Sequence, residues 1–204
     1  MKKPILLASC VLLLIITELI AQPINLNWGS SYSPSWANGA LSRSATNIGG
    51  FGVNCTTTVS MNGLGSFTLA LGSFGAQTPT VSGATFTVPG ASNRLQVTPD
   101  FVQNTSYVNI VFSFSTLISN VSFRIADIDK NTSTSTTYFD RVTITGTDGL
   151  STFNPTITKY DATTDPNFLI ISGNVAQVNT TSGQAGNTNS DATDQRGTVT
   201  VNFG

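Results

Sequence analysis

Histidine is absent from this 204-residue chain, and its one glutamate, Glu18, lies in an apolar leader. Without histidine there is no Ser-His-Asp triad, no Cys-His pair and no histidine-ligated zinc site. Cysteine is almost as scarce, because Cys10 lies in the same leader and Cys55 is the only cysteine in the rest of the chain. A single cysteine cannot form an intrachain disulfide, so we expect Cys55 to be a small buried residue on a strand.

Charge is also sparse, at 9% of all residues. When the leader is removed, seven basic and nine acidic side chains remain. This slightly negative balance excludes the basic footprint of a nucleic-acid-binding protein. Thr, Ser, Asn and Gly are abundant, and no segment after the leader has the period of an amphipathic helix. The composition therefore predicts an all-β protein.

The leader, residues 1–21, has the three parts of a secretory signal peptide. Two lysines follow the first methionine, an apolar run extends to Ile16, and Ala21 provides a small residue for cleavage. The apolar run is too short for a transmembrane span. We therefore expect a secreted or cell-surface protein that does not span a membrane after cleavage, with residues 22–204 forming a single domain.

About ten short stretches alternate between apolar and polar residues, as half-buried β-strands do. The clearest are residues 51–59, 107–115, 121–126 and 199–203. Turn residues separate these stretches, which predicts an antiparallel β-sandwich of jelly-roll type. The polar segment 173–196 has few apolar residues to offset the entropy of ordering it, so we expect a mobile or ligand-exposed loop there.

Three aspartates lie where two of the predicted strands meet a polar loop. Asp127 and Asp129 continue the inward parity of strand 121–126, and Asp140 shares the inward parity of strand 142–145. If the two strands form a long-looped antiparallel hairpin, the three carboxylates cluster at its mouth and repel one another. A bulge would turn one of them outward. A calcium ion, bound by these carboxylates and by loop carbonyls, is one way to offset this repulsion. The alternative is a basic partner, for which the sequence offers Arg124, Arg141 and Lys130.

Aromatic residues in the first loop form a second candidate site. Trp28, Tyr32 and Trp36 lie among Ser, Pro and Gly residues. Flat rings in such a loop can stack on the face of a sugar. The alternative is that the three rings close one end of the sandwich as part of its core.

The strand that ends in Asp127-Ile128-Asp129, the polar loop after it and the following run DRVTITGTDG resemble the lectin-like non-repetitive domain of CshA-type fibrillar surface adhesins. The resemblance covers roughly the second half of the chain. It implies a bacterial β-sandwich that binds a glycan, a glycoprotein or a matrix protein, from a host or the environment, through loops at one end. In that family the strand that matches 199–203 is followed by another strand. We therefore expect either a truncated chain or an open strand edge that pairs with a second copy.

Two other functions fit the same sequence. The chain could be a carbohydrate-binding module of a secreted polysaccharide-degrading system, or a structural spacer in a surface fibre. Paired aspartates could also act as the acid and base of a glycosidase. Since no stretch supplies an apolar pocket for such an acid, we expect a protein without enzymatic activity.

Overall fold

The computed structural model describes residues 25–70, 76–82, 93–132, 137–181 and 195–204. The predicted signal peptide and most of the predicted mobile segment lie outside these residues. All strand pairings in the described part are antiparallel, and its one helical element is a 3-10 turn, Gln195–Gly197. The protein is therefore all-β, as predicted, with small sheets that are consistent with a β-sandwich. The strands are β1 Ser42–Ile48, β2 Val53–Asn62, β3 Gly65–Phe67, β4 Thr80–Ser82, β5 Arg94–Gln96, β6 Pro99–Phe101, β7 Tyr107–Phe114, β8 Val121–Ile125, β9 Lys130–Thr132, β10 Thr137–Phe139, β11 Arg141–Thr143, β12 Gly146–Thr147, β13 Thr152–Phe153, β14 Thr156–Lys159, β15 Leu169–Ser172, β16 Val175–Val178 and β17 Val199–Phe203.

The first half of the chain has its own buried core. β2 lies between β1 and β7 in a three-stranded sheet, and its alternating sequence turns Cys55 and Val59 inward. Phe67 of β3 and Leu95 of β5 pack against this core from the short two-stranded ribbons. The buried members of the cluster are Tyr32, Trp36, Ala45, Ile48, Cys55 and Val59.

Two facing three-stranded sheets form the core of the second half. One has the strand order β14-β17-β8 and the other β11-β16-β15. Val199 and Val201 of the first sheet share a buried cluster with Ala176 and Val178 of the second. The two cores meet where the ring of Phe112 lies 6.1 Å from that of Phe123, measured between centroids. Among the described residues, no helix is long and apolar enough to span a membrane.

The hairpin predicted between strands 121–126 and 142–145 is wrong. β8 pairs with β17, with Ile125 opposite Val199, whereas β11 pairs with β16 in the opposing sheet. The polar loop between them folds back on itself as the ribbon of β9 and β10. An alternating sequence predicts that a strand has one buried face, but the choice of partner depends on which apolar faces meet in the core.

β16 lies inside the segment that was predicted to be an unstructured loop. Its residues Ala176 and Val178 are almost completely buried, and it is the central strand of its sheet. A two-residue loop of Gly173 and Asn174 joins it to β15, with Gly173 at a φ of 58°. A Gly-Asn pair between two alternating runs is a hairpin signal, so the prediction overlooked a local sequence feature.

The last strand, β17, has a partner on each side, β14 and β8. It therefore presents no open edge to a second chain, contrary to the expectation for residues 199–203. Its two valines at positions 199 and 201 are fully buried, as its alternating sequence predicted.

Candidate functional site

Backbone geometry gives Asp127 a different environment from the other two aspartates. Its φ of 69° lies in the left-handed region, which Asp tolerates better than most residues. The next residue, Ile128, is buried and donates its N–H to the carbonyl of Gly197 at 3.0 Å, while Asp127 is exposed. The common inward parity predicted for Asp127 and Asp129 is therefore wrong, because the chain bulges after Ile125.

Asp129 and Asp140 do meet, at the base of the β9–β10 ribbon. The N–H of Asp140 donates to the carbonyl of Asp129 at 2.8 Å, and the N–H of Asp129 donates to Oδ2 of Asp140 at 3.2 Å. Asp129 is only 4% exposed. The carbonyl of Asp140 accepts the N–H of Val178 at 3.1 Å, which connects the pair to β16, the central strand of the β11-β16-β15 sheet.

The two carboxyl groups are electrostatically strained. Burial, followed by the charges of Asp129 and Asp127, raises the pKa of Asp140 from 3.8 to about 7, against the opposing effect of the hydrogen bond from the Asp129 N–H. Burial also raises the pKa of Tyr138, whose side chain is hydrogen-bonded to Asp129. Burial lowers the pKa of Arg94, and the negative charge of Asp127 raises it. Near neutral pH the Asp129–Asp140 pair therefore retains a proton or requires a cation.

Calcium at this cluster stays a prediction. Within the described ranges, no group of three or more Asp, Glu, Cys or His side chains could hold a metal ion. Asp129 and Asp140 are in contact, but two carboxylates supply only part of a calcium shell of about six to eight oxygens. Carbonyl groups and water would therefore have to supply most of the shell. Lys130, which was predicted as an alternative partner, donates its Nζ to the backbone carbonyl of Asn179 at 3.0 Å.

The predicted aromatic site belongs to the first core. Tyr32 is 4% exposed and Trp36 is 6% exposed, and their rings meet edge to face at 5.6 Å. Trp28 is half-buried and stacks on Tyr32 at 5.5 Å between centroids. The hydroxyl of Tyr32 hydrogen-bonds to that of buried Thr57 at 2.8 Å. The rings of Tyr32 and Trp36 are covered by protein, which leaves them no face for a sugar and favours the packing alternative.

A depression of about 190 Å³ lies on the side of the β11-β16-β15 sheet that faces away from the core. In the strand register, Gln177 lies between Arg141 on one side and Ile170 on the other, and Val175 is opposite Ser172. We call this surface the outer face. The residues that line its depression are Arg141, Ile170, Ser172, Val175 and Gln177.

The outer face carries polar groups that are available to a ligand. Among the residues that the structure describes, none forms an ion pair or hydrogen bond with the side chain of Arg141 or Gln177. Arg124 on the opposing sheet differs, since its guanidinium lies over the ring of Tyr160 at 4.4 Å. Arg141 is exposed, and an unpaired guanidinium beside a carboxamide can bind carboxylates and hydroxyl groups.

Sequence reasoning assigned Arg141 only the role of a counter-ion for the aspartates and missed the rest of the outer face. Val175 and Gln177 lay in the supposed loop, so their alternation with buried Ala176 and Val178 was not used. The Gly173-Asn174 turn was the signal that could have revealed them.

Comparison with known protein families, with curated proteins and with solved structures found no match for the chain. The functional interpretation therefore depends on the geometry of the outer face and on the sequence features above.

Proposed function

We propose that this protein is a secreted or cell-surface binding domain without enzymatic activity, which takes its ligand on the outer face. The observation that carries the proposal is the depression lined by Arg141 and Gln177, whose side chains have no partner among the described residues. The signal peptide predicted for residues 1–21 and the resemblance to a lectin-like adhesin domain agree with an extracellular binding role.

The physical argument for binding is that the backbone of the outer face is fixed and that its polar side chains keep hydrogen-bonding capacity for a ligand. β16 is hydrogen-bonded to a strand on each side, so the backbone that carries these side chains is fixed before a ligand arrives. Binding therefore requires no ordering of the backbone, and the entropy cost is confined to the rotamers of exposed side chains such as Arg141. Ile170 is 42% exposed beside Gln177, so the face combines apolar area with polar groups, as small-molecule sites do.

The test uses the protein from residue 22 onward on an array of animal glycans, plant and algal polysaccharides, and matrix proteins. We expect hits that Arg141→Ala and Gln177→Ala abolish. Arg124→Ala, which removes the same charge from the opposing sheet, should leave them unchanged. Hits that persist in both outer-face variants would show that the ligand binds elsewhere on the protein and contradict the proposed site.

The pattern of hits also separates the alternatives. Polysaccharide hits alone would favour a carbohydrate-binding module, and hits on host glycans or matrix proteins would favour an adhesin. An array without any hit would leave the structural spacer of a surface fibre and contradict the proposal.

A further inference from the structure

The outer face has the dimensions of a site for one small ring. Its six outward positions form two rows across the three strands. Neighbouring strands are about 4.8 Å apart and alternate residues along a strand about 6.8 Å, so the rows cover about 10 Å by 7 Å. The depression, about 190 Å³, is smaller than the roughly 300 Å³ at which drug-sized pockets begin. One row is Arg141, Gln177 and Ile170, and the other is Thr143, Val175 and Ser172.

Arg141 provides the charge that selects the ligand. Asp140 precedes it in the chain, but Oδ2 of Asp140 accepts the N–H of Asp129 at 3.2 Å. No ion pair or hydrogen bond within the described part of the chain occupies the Arg141 guanidinium. A guanidinium presents a planar set of donors that matches a carboxylate in a two-bond geometry. A ligand with a carboxylate would therefore gain more at this position than a neutral one.

The neighbouring side chains suit a hydroxylated ring. The amide of Gln177 is both a donor and an acceptor, and the hydroxyl of Ser172 can be either. Exposed Ile170 and half-buried Val175 offer aliphatic surface to the C–H face of a ring. None of the six positions is aromatic, so the stacking that favours neutral sugars is not available here.

An acidic peptide fits this face less well than an acidic sugar. The central strand β16 is paired with β11 and β15, so its backbone N–H and C=O groups are used within the sheet. A peptide lying on the face could not add itself as a strand, which is how extended peptides gain main-chain hydrogen bonds. Recognition must therefore come from side chains alone, over an area that matches one ring.

We infer that the outer face binds a carboxylate-bearing sugar, with Arg141 holding the carboxylate and Gln177 the ring hydroxyls. The inference depends on the proposed function, because it names the ligand class of the same site. A uronic acid of a polysaccharide and a sialic acid of a host glycan share this chemistry, and the experiment separates the two sources.

The test measures affinity by calorimetry for two matched pairs of ligands. One pair is a galacturonate oligosaccharide and its carboxyl-reduced form, and the other is sialyllactose and lactose. We expect the acidic member of one pair to bind at least about tenfold more tightly, the scale of one charge-assisted hydrogen bond. Whichever pair shows the preference identifies the source. Arg141→Ala should remove the preference, Arg141→Lys should keep part of it, and Gln177→Ala should weaken both members of the pair.

Arg124→Ala is the charge-matched control and should leave the preference unchanged. Unaltered melting temperatures of the variants would exclude unfolding as the cause of lost binding, since exposed substitutions affect stability little.

Equal binding of acidic and neutral sugars, abolished by Gln177→Ala, would overturn the inference and leave the proposed function standing. Binding of poly-glutamate without sugar binding would also overturn it, and would make the ligand an acidic protein. If Arg124→Ala weakens binding as much as Arg141→Ala, the attraction is non-specific and the inference fails. Failure of both outer-face variants to affect any ligand would refute the inference and the proposed function together.

Discussion

Asp140→Asn should change how the stability of this protein depends on pH. Burial and the neighbouring aspartates raise the pKa of Asp140 from 3.8 to about 7 in the folded state. Between these two values the folded protein keeps a proton that the unfolded chain loses. The free energy of unfolding therefore falls as pH rises from about 4 through about 7, and this contribution becomes constant above about pH 8.

The size of the effect follows from the same two pKa values. One pKa unit corresponds to about 1.36 kcal/mol, so ionising Asp140 in the folded state costs roughly 4 kcal/mol at pH 8. Asparagine cannot ionise, and it mimics the protonated acid. Its oxygen can accept the N–H of Asp129, which now donates to Oδ2 of Asp140 at 3.2 Å, and its amide can donate to the Asp129 carboxylate. We therefore expect the variant to match the wild type near pH 4 and to be more stable by up to about 4 kcal/mol at pH 8.

Urea unfolding in calcium-free buffer, followed by tryptophan fluorescence at a series of pH values, measures this difference. Asp148→Asn is a control of opposite sign. Its exposed carboxylate accepts the N–H groups of Ser151 and Leu150, which lower its pKa, so this substitution should reduce stability at neutral pH but not in acid. Parallel pH profiles for the wild type and Asp140→Asn, or a less stable variant at pH 8, would refute the reasoning about the Asp129–Asp140 pair.

Three further predictions concern the metal and the two cores. Millimolar calcium should raise the melting temperature and a chelator lower it, because binding to the folded state alone adds about 2.7 kcal/mol to its stability at a hundredfold excess over the dissociation constant. Asp129→Asn should remove most of this response, and identical melting with calcium and chelator would reject a metal. Tyr32→Phe should cost about 1–3 kcal/mol in urea unfolding, because it removes the 2.8 Å hydrogen bond to the hydroxyl of fully buried Thr57; no loss would mean that this hydroxyl finds another partner. Val201→Ala should cost about 2 kcal/mol, since this side chain is fully buried, whereas Ile170→Ala, 42% exposed, should cost less than about 1 kcal/mol. Equal losses for the two substitutions would contradict the position of β17 in the core.

The sequence was sufficient for the fold class and for the inner face of β2 and β17. The alternation of β2 and β17 predicted correctly that Cys55, Val59, Val199 and Val201 are buried. These are local properties, because the side chains of a strand point alternately to its two sides whichever strand lies beside it. The all-β class followed equally well from the sparse charge and the lack of a helical period.

The tertiary structure alone decided which strands are neighbours and which acids meet. Strand 121–126 pairs with the last strand rather than with the next one, because pairing partners are chosen by contacts across the whole core. The left-handed backbone at Asp127 leaves that acid exposed while Asp129 is buried beside Asp140, and no pattern of apolar residues encodes such a bulge. The outer face arose in the same way. Arg141, Gln177 and Ile170 are far apart in sequence and become one surface only when β16 is placed between β11 and β15.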